Sequence, residues 1–252
     1  MPWLSDDMST GTLLTGTILN ALGILIGGLI GLNRNRQLSQ STQVALRGIM
    51  GVITVYVGLR LTVMGLNGSA GQVLKQVAIL LLSMTLGRII GRLLRIQSTL
   101  NRLGQHASQS FAKSRPEDPN RISEGFTLCT LLFCAGPLGP LGAVADGLSG
   151  YWQPLAIKMV MDGLAAMGFV SIYGWGVVLS AIPVFIYQGT ITLGVQRLEP
   201  FLSQNGLLDS VNVVGGMLVF CVALIVLELK KLQLADYLPS LAVAPLITYF
   251  WR

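Results

Sequence analysis

The stretch GTILNALGILIGGLIG, residues 16–31, carries no charged side chain and is apolar over most of its length. It lies within an apolar block over residues 12–32, close to the roughly 20 residues that an α-helix needs to cross about 30 Å of hydrocarbon. Similar blocks recur along the chain, at 44–66, 72–94, 126–147, 153–174, 176–196, 211–229 and 237–251. The sequence therefore predicts an all-α, polytopic membrane helix bundle with about 7–8 transmembrane helices.

The last of these blocks is the weakest. It is short and contains Pro239 and Pro245, so it fits either a full crossing or a half-helix that stops within the membrane.

The composition supports a lipid-embedded chain. Charged residues make up 11% of the sequence and hydrophobic residues 52%, whereas a soluble domain carries about 25% charged residues. The net charge of +6 could indicate nucleic-acid binding, but the basic residues cluster between the apolar blocks. We therefore expect the lipid bilayer, and no nucleic acid, as the partner of these charges.

The distribution of Lys and Arg predicts an N-terminus outside the cell, because short loops rich in these residues stay in the cytoplasm. No basic segment precedes the first apolar block, so we expect no cleaved signal peptide. With this orientation, most of the 17 basic residues fall on or near the inner face: Arg34, Arg36, Arg47, Arg88, Arg92, Arg95, Arg102, Lys113, Arg115, Arg121, Lys230 and Lys231.

One long polar stretch divides the chain. In residues 92–122, Leu93, Ile96, Leu100 and Leu103 recur at helical spacing among basic residues, which predicts a cytoplasmic amphipathic helix and linker. We expect RPEDPN to end this helix and Ser123 to cap the next one. The predicted units are a first three-span repeat over 1–91, the helix and linker over 92–122, a second three-span repeat over 123–198 and a C-terminal helical pair over 199–252.

Short matches suggest that the two three-span units are repeats. The glycine-rich stretch from Gly23 aligns with that from Gly136, and the intervals to Gly51 and to Gly163 agree within a residue. A unit with an odd number of spans enters the membrane from the opposite side in its second copy. The sequence thus predicts an inverted repeat, the arrangement of many secondary transporters.

The stretch GPLGPLG, residues 136–142, predicts a break in the fourth span. Close to its middle, Pro137 and Pro140 lack the N–H that a helix needs, and Gly136 and Gly139 have low helix propensity. In inverted-repeat transporters, interrupted spans near the midplane form the binding site. The alternative is that the glycines only permit close packing and the prolines only kink the helix.

Few polar side chains lie inside the predicted spans, and such residues often mark a functional path. Lys158 and Asp162 are four residues apart, so they share one helix face. Asp146 ends the fourth span. These residues fit either a path for a solute or proton, or a structural ion pair beside an interfacial carboxylate.

Three further polar residues complete the candidate path. Asn20 and Gln188 supply neutral amides within the first and sixth spans. Glu124 begins the fourth span. There its carboxylate can also interact favourably with the positive end of the helix dipole.

The sequence favours no enzyme, cofactor or metal site. Its one histidine, His106, lies in the predicted surface helix, so a histidine-based triad or metal site cannot be assembled. The three cysteines lie in apolar blocks without metal-ligand spacing.

Several motifs resemble a known family. They are EGF (124–126), FCAGPLG (133–139), ADGLSG (145–150), KMVMDG (158–163) and YQGTITL (187–193). Together they are similar to the bacterial inner-membrane proteins grouped as domain of unknown function 554. Leu138 and Pro140 depart from the usual FCxGPM pattern, and Met159 replaces a common serine. The resemblance implies a bacterial inner membrane location and implies no substrate.

The sequence is consistent with two functions. The first is a transporter or channel-like protein for a small solute or ion. The second is a non-transporting scaffold or regulator that acts through residues 92–122. The glycine-rich first span could also pack against a second copy of the chain, giving a homo-oligomer.

Overall fold

The computed structural model describes residues 14–33, 39–113 and 120–251. All regular elements in these residues are helical. The predicted N-terminal segment before residue 14 and most of RPEDPN lie outside the described residues. The α-helices are α1 (Thr15–Asn33), α2 (Gln40–Gly65), α3 (Ala70–Leu93), α4 (Ile96–Lys113), α5 (Arg121–Ala135), α6 (Leu138–Ser149), α7 (Gln153–Tyr173), α8 (Trp175–Leu179), α9 (Ala181–Gln196), α10 (Glu199–Gln204), α11 (Leu208–Val226) and α12 (Ser240–Phe250), with a 3-10 helix at Leu234–Tyr237.

The predicted all-α membrane bundle is confirmed. Within the described ranges, six helical segments are long and apolar enough to cross a membrane, and the bent pair α5 and α6 makes a seventh. The eighth predicted span corresponds to α12, which has 11 residues. At 1.5 Å per residue α12 alone is about 16 Å long, and together with the 3-10 helix it forms a shorter apolar segment over Leu234–Phe250.

Helix α4 lies within the segment that the sequence predicts to be amphipathic. Its predicted apolar face is half-buried at Ile96, Leu100 and Leu103, while Leu93 belongs to the end of α3 and is exposed. The start of α4 is held by the 3-10 helix. The Gln97 N–H donates to Asp236 Oδ1 over 2.9 Å, and the Ala235 N–H donates to Gln97 Oε1 over 3.0 Å.

The prediction that Ser123 caps the fourth span is wrong. Helix α5 begins at Arg121, so Asn120 occupies the cap position and Ser123 lies inside the first turn. The preceding prolines lie outside the described residues. The helix starts three residues earlier than it would if Ser123 were its N-cap.

The helices pack as two groups, which we call the first and second bundles. The first bundle contains α1 and α5–α9, and its core includes Ile24, Phe133 and Tyr173. The second bundle contains α2, α3, α11, α12 and the 3-10 helix, and its core includes Leu218 and Leu234.

Glycines set the closest helix contacts within each bundle. In the first bundle, α1 lies along α7, and a Cβ added at Gly27 would meet the Gly163 backbone. In the second, α2 lies along α11, and a Cβ at Gly58 would meet the Phe220 backbone. Since lipid is as apolar as these helices, close backbone packing of this kind stabilises helix association in a membrane.

This grouping bears on the predicted repeat. In an inverted repeat, α1 corresponds to the α5 and α6 pair, and α2 corresponds to α7. The packing of α1 on α7 should then be repeated as packing of the α5 and α6 pair on α2. In the structure α2 instead lies along α11. The inverted repeat stays a prediction.

Candidate functional site

The fourth span is bent by 59° between α5 and α6, which confirms the predicted break. Helix α5 ends at Ala135, Gly136 is extended, and α6 begins at Leu138. Pro137 has no N–H to continue the α5 hydrogen bonds. Pro140 lies in the first turn of α6, where a missing N–H is tolerated, so the unwound part is shorter than the predicted 136–142.

Four of the predicted polar residues meet beside this break, and we call them the polar quartet: Asn20, Lys158, Asp162 and Gln188. Lys158 Nζ donates to Asp162 Oδ2 over 2.6 Å. Asn20 Nδ2 donates to Asp162 Oδ2 over 3.3 Å and to Gln188 Oε1 over 3.2 Å. The quartet therefore links α1, α7 and α9.

The quartet is deeply buried. Asn20 and Gln188 are fully buried, and Lys158 and Asp162 keep 4% and 7% of their surface exposed. Asp162 lies nine residues after the start of α7, about 14 Å along the helix axis and close to the middle of a 30 Å hydrocarbon layer. The two charges cancel, which is the arrangement that makes ionisable groups tolerable at this depth.

The broken fourth span lies beside the quartet, next to Lys158 and Gln188. A Cβ added at Gly136 would lie 3.8 Å from Lys158 Nζ, with no other neighbour within 4 Å. A Cβ at Gly139 would lie 3.3 Å from Lys158 Cε and 3.4 Å from Gln188 Nε2. The ammonium thus sits beside the carboxyl end of α5, where the helix dipole favours a positive charge.

Two atoms of the quartet have no hydrogen-bond partner. They are Asn20 Oδ1, an acceptor, and Gln188 Nε2, a donor. The amide orientations follow from the network, because Asn20 must present its nitrogen to both the Asp162 carboxylate and the Gln188 oxygen. Buried polar groups are paired in the great majority of cases, so the two unpaired atoms indicate a place for a polar molecule or ion.

Asp146 does not join the quartet. Its carboxylate Oδ2 instead accepts from the Gly16 N–H over 3.0 Å, at the first turn of α1. A helix N-terminus has unpaired N–H groups and a partial positive charge, and a carboxylate satisfies both. Asp146 therefore caps α1 from the end of α6.

Glu124 also lies apart from the quartet. It is exposed in the first turn of α5, twelve residues before Gly136 and so about 18 Å away along the helix. Its position matches the expected interaction with the α5 dipole.

A second buried polar contact, which the sequence does not predict, joins Thr17 and Thr192. Their hydroxyl oxygens are 3.3 Å apart, and Thr192 Oγ1 also donates to the Ala143 carbonyl over 3.2 Å. Threonine in an apolar helix often bonds to its own backbone, as Thr54 does with the Met50 carbonyl. For this reason the sequence carries no signal that singles out Thr17 and Thr192.

The part of the chain that the structure describes contains no group of three or more His, Cys, Asp or Glu side chains placed to hold a metal ion.

These helices and their broken span define a polytopic α-helical membrane protein with a charged pair buried in the bundle. The chain belongs to the family described as "Protein of unknown function (DUF554)", whose model matches residues 15–249. This confirms the resemblance carried by the motifs between Glu124 and Leu193.

Two bacterial relatives match over almost their whole length. The chain is 28% identical over 234 residues to the uncharacterized membrane protein YdfK of Bacillus subtilis, covering 93% of this chain and 95% of that protein. It is 26% identical over 237 residues to the uncharacterized protein YqgA of Escherichia coli, covering 94% and 97%. No solved structure matches the chain.

Proposed function

We propose that this protein is a transporter or channel-like protein for a small solute or ion, and that the polar quartet is its binding site. The observation that carries the proposal is the pair of unpaired amide atoms, Asn20 Oδ1 and Gln188 Nε2, beside a buried ion pair and a helix break.

A purely structural ion pair would explain less of this geometry. Such a pair is expected to have its surrounding polar groups satisfied, because each unpaired buried group costs about 1–3 kcal/mol. Here two groups are unpaired, and Gly136 and Gly139 place no side chain of their own against Lys158. A ligand that accepts from Gln188 and donates to Asn20 would complete the network.

The scaffold or regulator function is the second candidate, and the attachment of α4 supports it. The two hydrogen bonds between Gln97 and the 234–237 helix fix the start of a basic amphipathic helix against the second bundle. A partner bound to α4 could act on the membrane helices through this attachment.

Further features of the proposal concern placement and partners. We propose a bacterial inner membrane location with the N-terminus outside, no enzymatic activity, no nucleic-acid partner and possible homo-oligomers. The contacts fit the two-sided orientation: the Arg47–Glu228 pair and the α4 attachment lie at the end with the basic loops. Asp146 with Gly16, and Ser149 with Asn212, lie at the other end.

The test is binding of defined solutes to purified protein. Amino acids, small organic acids and inorganic ions are screened for a rise in Tm, since a ligand that binds only the folded state stabilises it. We expect at least one compound to stabilise the wild type and not the Gln188→Leu variant. A screen in which every stabilising compound acts equally on both proteins would remove the quartet as the site.

A further inference from the structure

We infer that the gap between the two bundles is a water-filled vestibule, open toward the predicted cytoplasmic face, through which a small polar solute reaches the quartet. This inference rests on the proposed function for its ligand, but the vestibule itself can be tested without knowing any substrate.

The gap has a volume of about 300 Å³ and is bounded by three helices. Helix α7 of the first bundle contributes one wall, and α2 and α11 of the second bundle contribute the other. The lining includes Met161 and Ala165 on α7, Met50 on α2 and Ile225 on α11. A ligand pocket usually measures about 300–1,000 Å³, so this gap suits a small solute.

At the opposite end the bundles are in contact. Leu138, Leu141 and Ile157 of the first bundle pack in one buried cluster with Leu61 and Val213 of the second. Ser149 Oγ and Asn212 Oδ1 are joined by a 2.8 Å hydrogen bond at the same end. The two bundles thus meet near the predicted outer face and separate near the predicted inner face.

The mouth of the vestibule is charged. Arg47 Nη1 lies 3.7 Å from Glu228 Oε1, and the two side chains are 58% and 79% exposed. Exposed pairs of this kind hold their partners weakly. The inferred contact with water rests on this charged mouth, because the rest of the lining is apolar.

Helix α7 is shared by the vestibule and the quartet, because it forms one wall of the gap and carries Lys158 and Asp162. On α7, Lys158 and Asp162 face the quartet, and Met161 lies on the neighbouring face toward the second bundle. On α6, Gly139 faces Lys158 while Leu138 packs against the second bundle. A relative tilt of the two bundles would therefore change access to the quartet at both ends.

The experiment measures water accessibility of single cysteines. In full-length protein with Cys129, Cys134 and Cys221 replaced by Ala, the variants Met161→Cys and Ala165→Cys are exposed to a charged, membrane-impermeant maleimide. Inside-out and right-side-out vesicles are compared. The matched control is Ile186→Cys on α9, a residue that is 60% exposed, does not line the gap and is expected to face lipid.

We expect both vestibule cysteines to react in inside-out vesicles at least tenfold faster than Ile186→Cys, because the thiolate that reacts with maleimide forms in water and not in hydrocarbon. Equal, slow labelling at all three positions would show a lipid-filled groove and overturn the inference. Faster labelling from the right-side-out face would also overturn it.

A crosslink separates this inference from the proposed function. The pair Ser149→Cys and Asn212→Cys, joined by a short thiol linker, would hold the outer contact closed. We expect Ala165→Cys to stay reactive in the crosslinked protein, and solute flux to stop. Reactive vestibule cysteines in a protein that carries no solute would support the vestibule and contradict transport. Undiminished flux after crosslinking would contradict the tilting of the bundles.

Discussion

Lys158 and Asp162 form an ion pair of 2.6 Å one helical turn apart on α7, and their side chains are only 5% and 10% exposed. Such a pair must keep its geometry, because no water is available to solvate either charge if the two separate. Asn20 reinforces it by donating to the same Asp162 oxygen from a different helix. The pair thus ties the conformation of α7 to that of α1.

Removing one charge of this pair should destabilise the protein strongly. Lys158→Met leaves the Asp162 carboxylate buried without its counter-ion, which costs about 3–5 kcal/mol in proteins. The double variant Lys158→Met with Asp162→Leu removes both charges and should recover most of the loss. Thermal unfolding in detergent measures both effects. A single variant as stable as the wild type would show that the pair is not closed as described.

Asp146 should behave as a helix cap and not as part of the solute path. Asp146→Ala removes the acceptor for the Gly16 N–H and should cost about 0.5–2 kcal/mol of stability. Asp146→Asn keeps an acceptor oxygen and should retain most of the stability and ligand binding. Loss of ligand binding in a stable Asp146→Asn variant would place Asp146 in the site after all.

Gly27 should tolerate no larger residue. A Cβ at this position meets the Gly163 backbone on α7, so Gly27→Ala must push α1 and α7 apart and should cost about 1–3 kcal/mol. Gly194→Ala is the matched control, since a Cβ there has no neighbour within 4 Å. Equal thermal stability of the two variants would argue against the close α1 and α7 contact.

The attachment of α4 should depend on one carboxylate. Asp236→Ala removes the acceptor for the Gln97 N–H, so amide hydrogen exchange should become faster in the first turns of α4. Gln105→Ala, at an exposed position of the same helix, serves as the control. Unchanged exchange in Asp236→Ala would mean that α4 is held by its apolar face alone.

The sequence predicts those features of this protein that depend on local chemistry. The break at Gly136 and Pro137 follows from the missing N–H of Pro137 beside a flexible glycine, and the quartet residues stand out because polar side chains are rare in apolar spans. The sequence does not show which spans are neighbours. Asn20 meets Gln188 across 168 positions, and no spacing rule predicts that contact.

The same limit explains why the sequence groups residues that the structure places apart. Asp146 appears beside Lys158 and Asp162 in the sequence order of the spans, but its carboxylate reaches the first turn of α1, 130 positions away. Glu124 belongs to the broken fourth span but lies in the first turn of α5, at the end of that span far from the quartet. Depth along a helix and the identity of the neighbouring helix both have to be known before such residues can be assigned.

If the polar quartet binds a solute that crosses the membrane, solute flux into proteoliposomes must depend on the quartet. Liposomes containing wild-type protein, Gln188→Leu or no protein are exposed to a defined mixture of amino acids, small organic acids and inorganic ions, and the captured contents are analysed. We predict that wild-type protein admits at least one solute and that folded Gln188→Leu admits it at least tenfold more slowly. Equal flux through both proteins, or no flux above empty liposomes, would contradict the claim.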